Sequence, residues 1–189
     1  MRKAFDDQVF EKYDLSEGLN HEFSDCKFLN CDFSNASFHS AELVDCTFVS
    51  CNLSMAKLEN TVFSRAKFID CKMMGLDFSK CSRFLFSVSF ENCILKYALF
   101  FKNELKSTVF KKCILQEASF LEVNLLSAKF LECDLDKAVF DNTNLEKADF
   151  STSNNYSINP ETNKLKKTMF SMPDVLGLLN HLDIVIVEG

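Results

Sequence analysis

Tryptophan is absent from this 189-residue sequence, and it holds only four glycines and two prolines. That scarcity excludes collagen-like chains and Pro/Gly-rich disordered ones. No stretch approaches the roughly 18 apolar residues of a membrane-spanning helix. The opening Met1-Arg2-Lys3-Ala4-Phe5-Asp6-Asp7 lacks the apolar core of a secretory signal. Positive charge is also in deficit. A net charge of −6 and a pI near 5.1 disfavour direct binding to nucleic-acid phosphates. There is no glycine-rich phosphate loop, no GxSxG and no HExxH, and the three histidines, His21, His39 and His181, are far apart in the chain. The chain therefore reads as a soluble cytoplasmic protein of one domain, with no enzyme signature, no cofactor and no metal.

Phenylalanine is in excess, at 21 residues, and it falls on a strict period. From Leu85 every fifth residue is apolar: Leu85, Phe90, Leu95, Phe100, and so on to Leu145 and Phe150, Leu and Phe alternating throughout. Two residues before each centre stands a small side chain, as in Cys93, Ala98, Cys113 and Ala128, with Asn103 and Arg83 as exceptions. Phe23 to Phe78 follow the same count, giving 26 centres: 15 Phe, 10 Leu and Met73. Neither the helical period of 3.6 nor the strand period of 2 yields fives. A sustained short repeat instead marks a solenoid, in which each unit buries its apolar residue only by stacking on its neighbours.

The centre due at residue 83 is Arg83, and an arginine facing a narrow interior would be an unpaired buried charge. The frame resumes at Leu85, so two residues are inserted within 81–85. With 20 residues per coil, and 22 for the coil with the insertion, one column becomes Cys31, Cys51, Cys71, Cys93, Cys113 and Cys133. The next reads Ala36, Ala56, Leu76, Ala98, Ala118 and Ala138. A four-sided coil follows, with six to seven coils stacked at strand spacing into a rod roughly 30 Å long.

Three regions result. Residues 1–22 are a poorly patterned lead-in that caps the open end; Phe10 and Leu15 hint at the period and Glu17-Gly18-Leu19-Asn20 breaks it. Residues 23–170 are the repeat, interrupted by a polar loop at 151–162 before Leu165 and Phe170 return in frame. Residues 171–189 read as a helix, capped by Ser171 with Pro173 in its first turn, followed by a β-branched strand over Ile184-Val185-Ile186-Val187. Leu178, Leu179, Leu182, Ile184 and Ile186 make this tail too apolar to stand exposed on a monomer, and it is expected to form a dimer contact.

The cysteine column is the obvious chemical candidate. A tetrahedral metal site needs four converging ligands, however, and a straight column offers each thiol only two neighbours, so the thiols read as packing. What remains is the surface. Net charge by segment is −3 for 1–22, −2 for 23–78, +4 for 79–120, −4 for 121–150 and −1 for 151–189. Glu132, Asp134, Asp136, Asp141, Glu146 and Asp149 gather acid near the tail, as a solvated face or as a negative partner-binding surface. Phe84, Phe86, Ile94, Leu99, Phe101, Ile114 and Leu121 occupy nominally outward positions; of these, Phe86 and Phe101 are the candidate apolar contacts of a protein partner.

The unit A/C-x-L/F-x-x, as in Ala128-Lys129-Phe130-Leu131-Glu132 and Cys133-Asp134-Leu135-Asp136-Lys137, resembles the pentapeptide-repeat family. That resemblance implies an all-β solenoid, a right-handed quadrilateral β-helix with one pentapeptide per side. The break near Asn155-Tyr156 and the closing Leu178-Leu179-Asn180-His181-Leu182-Asp183-Ile184-Val185-Ile186 are similar to the Qnr-type quinolone-resistance group. This likeness implies a cytoplasmic bacterial homodimer joined through its C-termini. It also implies a non-enzymatic mimic of DNA shape and charge that binds DNA gyrase or topoisomerase IV without a cofactor. The other reading is a general protein-interaction scaffold.

Overall fold

The fold is taken from a computed structural model and is described for residues 2–12 and 19–187; Leu15, Glu17 and Gly18 lie outside the described residues. The chain winds as a four-sided parallel β-solenoid. The first side carries strands β1 (Ala4–Asp6), β3 (Glu22–Ser24), β5 (Glu42–Val44) and β7 (Val62–Ser64), paired in that order. The second carries β2 (Val9–Glu11), β4 (Lys27–Leu29), β6 (Thr47–Val49), β8 (Ala66–Ile69), β9 (Val88–Glu91), β10 (Val109–Lys111) and β11 (Lys129–Leu131). The third and fourth sides are joined by single parallel bridges such as Ile94 to Ile114 and Leu99 to Ser119.

Each side is three extended residues with the centre pointing inward, and then the chain turns. The turn explains the period of five. Residue i+2 from a centre takes a left-handed φ at 25 non-glycine positions, for example Asn35 at 58°, Lys137 at 57° and Tyr97 at 62°. The coil is therefore bought with local backbone strain at every corner, offset by stacking along the axis. Phe28, Phe48, Phe68, Phe90, Phe110, Phe130 and Phe150 stack ring on ring down the second side, at 4.6 to 5.5 Å. Edge-to-face contacts with the fourth-side phenylalanines, such as Phe110 with Phe120 at 5.9 Å and 88°, lock the two columns together.

The small position two residues before each centre has a second duty besides fitting. Cys51 Sγ donates to the Phe28 carbonyl at 3.3 Å, Cys93 to Phe68 at 3.4 Å and Cys133 to Phe110 at 3.3 Å. Thr61 and Ser153 hydroxyls donate in the same way to Phe38 and Phe130, at 2.8 Å each, and Asn163 Nδ2 to Phe140 at 2.9 Å. The carbonyl of a centre one coil down needs a donor, and Cys, Thr, Ser and Asn supply it where Ala cannot.

Five expectations change. The insertion is present, since Cys81 to Val88 spans seven residues where Thr61 to Ala66 spans five. The inward residue there is Phe86, buried and 6.3 Å from the Phe78 ring, while Leu85 is 61% exposed with φ of 55°. With two extra residues the chain bows outward and re-enters one residue late. The lead-in is already coiled: Phe5 lies beside Phe23 and Phe10 beside Phe28, in a first coil two residues short. Loop 151–162 is not merely polar, because Tyr156 and Ile158 turn inward and are buried. The closing helix is a 3-10 turn, Asp174–Leu178, with no side-chain cap from Ser171 or any other residue. Ile184–Val187 forms no strand: its backbone pairs with no other described segment, and it lies exposed.

Candidate protein-interaction surfaces

All nine cysteines are buried thiols. Burial pushes Cys46 up to about 12 and raises Cys81 as well, so they stay protonated and poorly nucleophilic. Among the described residues no group of three or more His, Cys, Asp or Glu side chains is placed to hold a metal ion. The column is packing and carbonyl capping. No helix among them is long and apolar enough to cross a membrane.

The outward side chains therefore carry what the rod can do. Charges separated by one coil stack vertically, and opposite signs meet: Lys111 with Glu91 at 2.8 Å, Lys102 with Glu122 at 3.3 Å and Lys112 with Glu132 at 3.8 Å. Arg65 likewise pairs with Asp45 through Nε at 2.6 Å and through a second, shorter contact, which holds that carboxyl below its ordinary value. The positive segment 79–120 and the negative segment 121–150 thus neutralise each other in part along the axis.

The candidate acids do not share one face. Asp134 and Asp136 flank Leu135 on the third side, Asp141 follows Phe140 on the fourth, Glu146 follows Leu145 on the first, and Glu132 sits at the corner before the third. They girdle one coil. Glu132 is committed to Lys112, whereas Asp134, Asp136, Asp141 and Glu146 make no ion pair among the described residues. Burial works against the charge on Asp134. Hydrogen bonds from Asn155 at 2.9 Å, Gln116 at 2.6 Å and the Asp136 N–H at 3.2 Å outweigh it and hold the carboxyl below its usual value. Asp134 is therefore a structural anchor for the loop 151–162 as well as a surface charge.

Of the apolar candidates, Phe86 is buried and unavailable to a partner; its inward turn at the insertion is the reason. Phe101 stays on the surface with Leu99 and Val139 on the fourth side, and Lys102 Nζ lies 4.7 Å from its ring centre. Sequence reasoning missed Leu85 by taking it as a centre. It did place Phe84 outward, and at 72% it is the most exposed phenylalanine or tyrosine among the described residues. In the tail, Leu182, Ile184 and Ile186 are exposed, while Leu178 packs in part against the core and Leu179 is half-buried. Tyr156 anchors this end, its ring 5.7 Å from Phe150 and 5.5 Å from Phe170. The Ile158 N–H donates to the Gly177 carbonyl at 3.3 Å, and the Asn155 N–H to Asp174 at 3.2 Å.

A parallel solenoid with a filled interior, flat sides and a five-residue turn defines a class of rod-shaped repeat proteins that act through their outer walls. Within that class the chain belongs to the pentapeptide-repeat family. Its sequence matches the pentapeptide repeat region over residues 21–100 and pentapeptide repeats (8 copies) over 104–140 and 118–154. Comparison with curated proteins gave no match. Among solved structures, a trypsin-treated form of QnrB1, a plasmid-mediated fluoroquinolone resistance protein, is similar with a TM-score of 0.62 at 21% identity, covering 98% of this chain and 99% of that one. Full-length QnrB1 gives 0.51 at 21%, covering 96% and 100%. HetL, a pentapeptide repeat protein involved in heterocyst differentiation regulation from the cyanobacterium Nostoc sp. strain PCC 7120, gives 0.55 at 14%, covering 89% and 84%. At these identities the likeness is one of fold.

Proposed function

We propose that this protein is a non-enzymatic, cytoplasmic rod that binds a type II topoisomerase, DNA gyrase or topoisomerase IV, and modulates it or shields it from quinolones. The observation that carries the reading is the end-to-end likeness to a fluoroquinolone resistance protein, which takes in the tail as well as the coils. Two features of this chain support it. The unpaired acids Asp136, Asp141 and Glu146 ring one coil and offer negative charge to a basic, DNA-handling surface. Next to them the exposed row Leu182, Ile184 and Ile186 suits a second copy docking tail to tail, which would double the acidic surface about a two-fold axis.

The test is supercoiling by purified gyrase and decatenation by topoisomerase IV with the protein titrated in, with and without a quinolone. Inhibition or drug rescue is expected at about micromolar protein or below, with loss of the effect in a variant carrying Asp136→Asn, Asp141→Asn and Glu146→Gln. Inhibition untouched by that variant would move the contact away from the acidic coil. No effect on either enzyme would reject the reading and leave the general scaffold.

A further inference from the structure

The insertion does more than displace one centre. The wall beside it is also uneven. On the second side Ser89 stands between Lys67 and, one coil further on, Val109, so a short side chain sits between two longer ones. A shallow depression lies there. It runs across the second side from Arg65, Ser87 and Ser107 at one corner, over Lys67 and Ser89, to Ile69 and Lys111 at the other. At its first corner the chain bows out as the bulge 82–87, which presents Phe84 and Leu85 to solvent at 72% and 61% exposure. Arg83, beside them, makes no ion pair among the described residues, and neither does Lys67 on the floor. Lys106 and Lys111 add charge at the rim, although each also meets a glutamate, Glu104 at 3.1 Å and Glu91 at 2.8 Å.

We propose that the bulge 82–87 and this depression form a docking site for an extended, acidic segment of a partner protein, with one apolar side chain of that segment seated on Phe84 and Leu85. Lys67 on the floor and Arg83 on the bulge, the two cations here without an ion pair among the described residues, select for negative charge in the occupant, while Glu91 in the lining offsets Lys111. Exposed adjacent Phe and Leu need an apolar counterpart, since singly exposed apolar residues are ordinary but a contiguous pair on a projecting turn is not. The serine hydroxyls of Ser87, Ser89 and Ser107 supply hydrogen bonds to an extended backbone that crosses the coils. Leu85 takes a left-handed φ of 55°, so the turn that carries the pair has a defined backbone. The acidic coil 132–146 lies elsewhere on the rod, and the site does not depend on the topoisomerase reading.

The experiment is selection of a displayed random-peptide library on the full-length protein, with counter-selection on the double variant Arg83→Glu/Phe84→Ser. Enriched peptides are then synthesised and their affinities measured by fluorescence anisotropy. Enrichment of Asp/Glu-rich peptides with a single Leu, Ile or Phe is expected. Their binding should weaken about tenfold or more in Phe84→Ser and in Lys67→Glu, and should fall with added salt. Val139→Ser, on another side, should leave it unchanged, and circular dichroism of each variant verifies the fold. No enrichment, enrichment of basic peptides, or affinities indifferent to Phe84 and Lys67 would each overturn the site. So would single-stranded DNA binding there more tightly than the peptides, or sedimentation showing that Phe84→Ser abolishes self-association, because the occupant would then be nucleic acid or a second copy.

Discussion

Two residues beyond each centre the backbone is left-handed, a conformation that costs most L-residues about 1–2 kcal/mol and that Asn tolerates. The chain uses Asn at some of these corners, as at Asn35, Asn60 and Asn142, and Lys, Glu or Ser at many others. Strain therefore remains to be relieved. Lys137, exposed at φ of 57°, has no ion pair among the described residues to lose. Lys137→Asn is expected to raise stability by about 0.5–1 kcal/mol, seen as a rise of roughly 1–4 °C in the thermal midpoint. An unchanged or lower midpoint would mean that the corner carries no such strain. The period of five was plain in the sequence, but its cause was not, because corner residues of every type share one backbone angle. The capping duty at the small position was equally hidden. Cys, Thr, Ser and Asn look like a size class until their donors are seen on carbonyls one coil away.

An inserted pair of residues is legible as a frame shift, since the cysteine column realigns only after adding two. Which residue then turns inward is a matter of three-dimensional path, and neither Arg83 nor Leu85 takes the place. Truncation separates the two readings. Phe86→Ala should cost about 3–5 kcal/mol by removing a buried ring, whereas Leu85→Ala should stay within about 0.5 kcal/mol. Denaturant midpoints reversed from that order would restore Leu85 as the centre. The tail was read as a helix and a strand, and it is a 3-10 turn followed by an unpaired exposed segment. Its apolar residues form a β-branched pattern, but a strand also needs a backbone partner, and over 184–187 none is present among the described residues. What holds the tail to the rod is a close approach: a Cβ on Gly177 would come within 2.0 Å of the Tyr156 carbonyl, which is backbone and cannot swing aside. Gly177→Ala is therefore expected to lift the 3-10 turn off the last coil. Limited proteolysis should then cut near 171–177 in the variant while the repeat stays intact, and equal protection of both proteins would show that the turn docks by other contacts.

At the scale of the molecule each coil touches only the coils beside it, so the rod behaves as a one-dimensional stack. That geometry misleads segment-by-segment charge sums, because Lys102, Lys111 and Lys112 meet acids 20 residues away in sequence and one coil away in space. The same stacking places the thiols inside, and this gives the whole rod a pH dependence. Burial raises Cys46 to about 12, while in the unfolded chain a thiol ionises near 8.5. A folded-state value above the unfolded one stabilises fully below about pH 8.5 and is lost as the pH climbs towards 12, because the unfolded chain releases protons that the folded rod keeps. Stability should therefore fall through pH 9 to 10, by about 1.4 kcal/mol per pH unit for each thiol so protected. Ala66 and Ala128 fill the column that Cys46 shares, so Cys46→Ala is compatible with the fold. Urea titrations of that variant at successive pH values should show an alkaline slope shallower by about one such increment. A slope identical to the parent's would place the alkaline loss on other groups and mean that the thiol is not withheld from ionisation by the coils around it.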